Sequence, residues 1–259
     1  MMLVLCYGMA KGGSTLTFEL VKGMLESAGH TQVRLPDGPV DPEHPVNYIE
    51  AIDAERAEAL LRAVGERWIA VKTHTGFRPP FFPVLEALHE RGEIRVVASY
   101  RDPRDICLSL LDAGTQAREM GYRAFARITD MEAAITNVGE QIEKFRRWAS
   151  VRGALRLDYE TVAFSPDAAI DRLEHYLGVT CDRDAAKRHA FEQAFTQQNK
   201  MKRRRFEDEL AEAEKQHLTQ VFDDFLRGVW ESDNDAWFKS YRDHMLVRAE
   251  RAARKHSRT

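Results

Sequence analysis

Cysteine is scarce in this chain. Cys6, Cys107 and Cys181 are an odd, widely spaced set in 259 residues, which argues against a secreted disulfide framework. No two of them have the short spacing of zinc ligands, and no Cys/His cluster completes such a site. Long apolar runs are missing too. No stretch approaches the roughly 18 residues of a membrane span. The start, Met1-Met2-Leu3-Val4-Leu5, lacks the basic residues of a signal peptide. Net charge is nearly absent: 38 Lys+Arg against 41 Asp+Glu leaves −3. No global basic excess points to nucleic acid, so an anion site must be local. A reducing cytoplasm is the expected setting.

What is present is ordinary globular chemistry, 44% hydrophobic and 31% charged. A chain of this length buries about 70–75% of its extended surface without a metal or disulfide staple. Strands are expected at residues 3–7, 68–71, 94–100 and 155–159. Helices are expected at 14–28, 51–64, 83–91, 106–111, 131–151 and 167–177, from helical spacing and caps. Pro36, Pro39, Pro42 and Pro45 predict an extended, polyproline-like loop outside the core. Residues 207–229 carry apolar side chains at helical spacing, and a last helix ends in a basic tail. Alternating strands and helices predict an α/β fold, a central parallel sheet flanked by helices. With no linker or repeat visible, residues 1–259 read as one domain, with the helices from about 207 packing on it.

Three motifs fall at predicted carboxyl ends of strands, where open parallel sheets bind ligands. The first joins strand to helix: Gly8-Met9-Ala10-Lys11-Gly12-Gly13-Ser14-Thr15. Gly12 and Gly13 let the backbone approach an anion, the helix start offers N–H groups, and Ser14 and Thr15 add hydroxyls. The spacing G-x-x-x-x-G fits an ATP loop, but Ser14 stands where that loop needs lysine. The lysine is Lys11, inside the loop, suited to a bridging oxygen of a phosphate-linked leaving group.

The second motif is Lys72-Thr73-His74. Alternate strand positions share a face, so Lys72 and His74 project together. A neutral imidazole beside a cation suits a general base. The third runs from Arg101 through Asp102-Pro103-Arg104-Asp105 to Ser109. Arg101 is suited to bidentate phosphate binding and Ser109 to a further hydrogen bond. The basic run Lys200-Met201-Lys202-Arg203-Arg204-Arg205 is either a solvated face or a cover for a multiply charged anion.

Together these residues resemble the 3′-phosphoadenosine 5′-phosphosulfate (PAPS)-dependent sulfotransferases. Lys11 to Thr15 is similar to that family's 5′-phosphosulfate loop. Lys72-Thr73-His74 resembles its K-T-H strand end, and Arg101 to Ser109 its 3′-phosphate element. Leu157-Asp158-Tyr159-Glu160 resembles its Y-E strand end, whose tyrosine lies near the adenine.

The resemblance implies PAPS as donor and 3′-phosphoadenosine 5′-phosphate (PAP) as product, with no metal. It implies Lys11, Lys72 and His74 as catalytic residues. Lys11, Gly12, Gly13, Ser14, Thr15, Arg101, Ser109 and Tyr159 would bind the nucleotide, with Arg203 and Arg204 at the 3′-phosphate. The acceptor would be a small molecule, lipid or carbohydrate. Homodimerisation stays open.

Two departures stand out. Leu16 replaces the aromatic residue that stacks on adenine in cytosolic members, and the C-terminal R-K-G-x-x-G-D-W pattern is absent. The alternatives are a metal-dependent kinase or nucleotide phosphohydrolase, with Asp158 as the nearest metal ligand, and a non-catalytic nucleotide-binding protein. Residues 77–82 and 114–130, with the proline loop, are expected to border the acceptor pocket.

Overall fold

The structure is a computed structural model and describes residues 1–42, 46–194, 200–230 and 234–256. Four parallel strands form one sheet in the order β2-β1-β3-β4: β1 Met2–Gly8, β2 Trp68–Thr73, β3 Ile94–Tyr100 and β4 Leu155–Asp158. Each strand is followed by a helix that returns the chain to the same end, as parallel pairing requires. The helices that follow are α1 Ser14–Ser27, α2 Ala54–Val64, α3 Phe82–Glu90, α4 Pro103–Met120, α5 Met131–Ala149, α6 Tyr159–Phe164, α7 Pro166–Leu177 and α8 Arg183–Arg188. Then come α9 Arg205–Glu209, α10 Glu212–Val221, α11 Asp223–Trp230 and α12 Asn234–His256.

The two-residue period of β1 sorts its side chains onto two cores. Leu3, Leu5 and Tyr7 face a large cluster built with α2 to α5 and the C-terminal helices. Met2, Val4 and Cys6 face a second cluster under α1 and α6 to α8. Both faces of β1 are therefore buried, which explains its unbroken apolar run. Phe222, Phe225, Val229, Phe238 and Met245 belong to the first cluster, so the C-terminal helices complete that core.

Three expectations are corrected. The run at 207–229 is not one helix. Leu210 and Ala211 are extended, and the Ala211 N–H donates to the Glu214 carboxylate at 2.9 Å, starting a new helix there. The helix expected at 106–111 runs from Pro103 to Met120, because Asp102 caps its start and Gly121, at φ 72°, closes its end. The proline segment is not held outside the core: Asp37 pairs with Val40 across a turn, and Leu35 and Val40 are fully buried. Pro45 lies outside the described residues.

Register decides what meets at the carboxyl edge. Tyr7 pairs with Thr73, Gly8 with Ser99, and Tyr100 with Asp158. The next residues along, His74, Arg101 and Tyr159, therefore emerge side by side around the loop that leaves Gly8.

Candidate active site

The loop after β1 is shaped by close contact. Gly8 is pressed so tightly that a Cβ there would lie 2.3 Å from Ser14 Cβ. Gly13 has φ 81°, and a Cβ on it would meet the Tyr159 ring at 2.4 Å. Only glycine satisfies both the dihedral and the space. The result points the N-terminus of α1 into a cavity of about 890 Å³.

That cavity is lined by Lys11, Gly13, Ser14, Thr15, Lys72, His74, Arg101, Ser109 and Tyr159. Residues from all four strand ends thus converge on one space. Gly12 does not line it; its N–H donates to the Met9 carbonyl at 2.9 Å and shapes the turn.

Lys72 is 5% exposed, and its ammonium donates to Thr15 Oγ1 at 2.7 Å. Burial lowers its pKa to about 8, an effect that the nearby Glu19 carboxylate opposes. The His74 ring shares a 2.7 Å hydrogen bond between Nδ1 and the Gly8 carbonyl. A carbonyl only accepts, so Nδ1 carries the hydrogen, and in the neutral ring Nε2 carries the lone pair. The Tyr48 ring leans on the imidazole at 5.9 Å, carried there by Asn47 and Ile49, which bond the backbone of Lys72. Lys11 holds its backbone at φ 64° and is half-buried; burial lowers its pKa.

Arg101 is 7% exposed. It donates to Asp105 Oδ2 at 2.8 Å, lies over the Tyr159 ring at 4.3 Å, and keeps a buried Nε with no hydrogen-bond partner. An unmatched guanidinium N–H and the buried Ser109 hydroxyl, both in the lining of one cavity, make a donor set for an anion. Asp105 also accepts from the Phe206 N–H at 3.0 Å, and Arg101 reaches the Lys202 carbonyl at 3.3 Å. These bonds dock the 200–209 segment onto the start of α4.

Within the basic run the structure differs from expectation. Arg203 and Arg204 are exposed and outside the cavity lining; Arg203 lies over Phe164, and Arg204 pairs with Glu207 at 2.7 Å. Lys200, Met201 and Arg205 line the cavity instead. Arg205 is 2% exposed and held by Asp112 and Glu209, each at 2.8 Å. The reason is the start of α9, which places Glu209 one turn beyond Arg205 and turns that guanidinium inward.

Phe77, Phe81 and Phe82 are also displaced from the expected pocket border. They are buried in the main core, with Phe77 edge-on to Trp148 at 4.8 Å. Of the other expected borders, Ala124 and Phe125 do line the cavity, as does Val46 just after the proline loop.

Glu19, Lys22 and His189 were not visible as site residues. Glu19 is buried and bonded to His189 Nε2 at 2.9 Å. Its spacing of four from Thr15, on one helix face, was the available signal. Asp158 caps α6 through the Thr161 N–H at 2.8 Å. Among the described residues, no three His, Cys, Asp or Glu side chains cluster as a metal site would, and no helix is long and apolar enough to cross a membrane.

A parallel sheet whose strand ends deliver a glycine loop, two lysines, a histidine and a buried arginine to one cavity defines an anion-handling group-transfer site. Residues 3–256 match the sulfotransferase domain family, and the chain belongs to that family. Among solved structures it is similar to the mouse sulfotransferase SULT7A1 complexed with PAP. That match has a TM-score of 0.54 and 13% identity, and covers 93% of this chain and 89% of that one. At that identity the likeness shows the fold. No curated protein matches the sequence.

Proposed function

We propose that this enzyme transfers the sulfuryl group of PAPS to an acceptor hydroxyl or amine, with His74 as general base. The observation that carries the reading is the His74 hydrogen bond to the Gly8 carbonyl. It fixes the imidazole in the tautomer whose Nε2 accepts a proton, at the mouth of the loop suited to the phosphosulfate. Family membership and the PAP held by the structurally similar mouse sulfotransferase support PAPS as the donor.

The acceptor oxygen forms a bond to sulfur as the bond from sulfur to the bridging phosphate oxygen breaks. The acceptor proton passes to His74 Nε2. Negative charge collects on the leaving phosphate, which departs as PAP. Lys11, with the N–H groups at the start of α1 and the Ser14 and Thr15 hydroxyls, lies where that charge develops. Lys72 neutralises the sulfuryl oxygens in flight. Preorganised charge of this kind is the largest catalytic contribution in many enzymes. Arg101 and Ser109 bind the 3′-phosphate, and Arg205, rather than Arg203 or Arg204, is the cation of the basic run that faces it. Tyr159, under Arg101, borders the adenine side, and Leu16 and Phe18 add apolar lining to the same cavity.

The acceptor is a small molecule, lipid or carbohydrate whose nucleophile reaches His74. The three free cysteines support a reducing cytoplasm as the setting of the reaction. The test uses radiolabelled PAPS and a panel of phenols, sterols and sugars. Label should move to an acceptor with the native chain and fail with His74→Ala. Transfer by His74→Ala at the native rate would remove the base from the mechanism.

A further inference from the structure

Four described residues other than glycine hold a left-handed backbone: Lys11 at φ 64°, Phe125 at φ 63°, and Met201 and Arg204 at φ 43°. Lys11, Phe125 and Met201 all line the cavity. Such geometry is strained for a residue with a side chain and persists only where the surroundings impose it. At Phe125 they do. Arg118 donates from one nitrogen to the carbonyls of Ala126 and Ile128, at 3.1 and 2.8 Å. The Ile128 N–H closes on the Phe125 carbonyl at 2.8 Å, and the Ile128 side chain is buried. Gly114 leaves room for this: a Cβ there would lie 2.2 Å from the Ile128 carbonyl oxygen. The loop after α4 is therefore pinned, and pinning places the Phe125 ring face 5.9 Å from the Lys11 ammonium.

We propose that Phe125 is a positioning residue for the sulfuryl transfer, its ring face holding the Lys11 ammonium inside the cavity where the leaving phosphate charge develops. The proposal rests on the role given to Lys11 above. The ring offers the electron-rich face of a π-system to a cation that is short of water, where such a contact is strongest. It also fixes a flexible four-carbon side chain in one place before the donor arrives, so that less order is imposed during the reaction. Phe125 transfers no proton and bonds no substrate; it acts through Lys11. A residue that merely fills space would serve as well if it were leucine.

The experiment compares Phe125→Leu and Phe125→Tyr in the native and Lys11→Gln backgrounds. Phe125→Leu should lower kcat about 5- to 30-fold, the equivalent of a desolvated cation–π contact, while Phe125→Tyr stays within about twofold. In the Lys11→Gln background, Phe125→Leu should add less than about twofold. Equal activity of the Leu and Tyr variants, or a full loss on top of Lys11→Gln, overturns the proposal. Should Phe125→Leu not fold, Phe125→Met carries the same comparison. A second readout does not use activity. After reductive dimethylation with labelled formaldehyde, the Lys11 methyl resonance should lie upfield in the native chain and the Tyr variant, and return downfield in the Leu variant. An unshifted native resonance overturns the contact. A native chain that transfers no sulfuryl group yet shows the shift indicts the functional reading and leaves the contact standing.

Discussion

The Lys72 ammonium lies 2.7 Å from Thr15 Oγ1, so the end of β2 and the first turn of α1 are tied together by a cation that is almost wholly buried. Burial moves its pKa down to about 8 from an ordinary value of 10.5. In the role proposed for it, Lys72 neutralises sulfuryl oxygens only when protonated. The kcat/KM of the free enzyme should therefore fall as pH rises through about 8, by about tenfold per unit. A profile flat to pH 10 would show that Lys72 stays protonated or does not act.

The same shift affects stability with a defined sign. Between pH 8 and 10.5 the unfolded chain binds the Lys72 proton and the folded chain does not, so this group makes stability rise with pH across that window. At pH 7 the folded state bears the penalty of a buried charge. Lys72→Met should raise Tm at pH 7 while turnover collapses. Thermal melts at pH 7 and 10 check this; a lower Tm for Lys72→Met at pH 7 would mean the Thr15 bond outweighs burial.

Gly13→Ala should break the loop. It adds a side chain at φ 81°, which costs about 1–2 kcal/mol, and sets a Cβ 2.4 Å from the Tyr159 ring. Melts should show a loss above 2 kcal/mol-scale strain alone only while Tyr159 is present, so Tyr159→Ala should recover part of it. Identical losses in both backgrounds would mean that the ring yields freely.

Much of this was legible in the sequence because it rests on local pattern. The run Leu3-Val4-Leu5-Cys6-Tyr7 predicts a strand buried on both faces, and the structure packs a core on each. Lys72 and His74 read as neighbours on one face, and both line the cavity. What failed to read depended on contacts between distant parts of the chain. Arg203, Arg204 and Arg205 are equivalent in sequence; a single turn of helix to Glu209 sends Arg205 inward and leaves the others in solvent. Phe77, Phe81 and Phe82 follow the end of β2 closely in sequence, but Phe77 packs edge-on to Trp148, about seventy residues on, and Phe81 and Phe82 pack on Phe77 in the core. Glu19 lines the cavity from α1, but its hydrogen bond to His189, far along the chain, could not be read from local pattern.

Arg101→Gln should separate nucleotide recognition from chemistry. It leaves Asp105 as a buried carboxylate without its 2.8 Å partner and removes the guanidinium over Tyr159. PAP should bind about 10- to 100-fold more weakly, on the scale of a lost charged hydrogen bond, while adenosine 5′-phosphosulfate, which lacks the 3′-phosphate, changes far less. Calorimetric titration of both nucleotides checks it. Parallel losses for the two would place Arg101 away from the 3′-phosphate.

The central claim is that the cavity at the strand ends takes a 3′-phosphorylated adenosine donor. Thermal stabilisation of the purified chain by PAP, set against ATP with magnesium at the same concentration, tests it most directly. PAP at 100 times its Kd should stabilise by about 2.7 kcal/mol, and ATP with magnesium by much less. Equal shifts, or a larger shift with ATP and magnesium, would contradict the account.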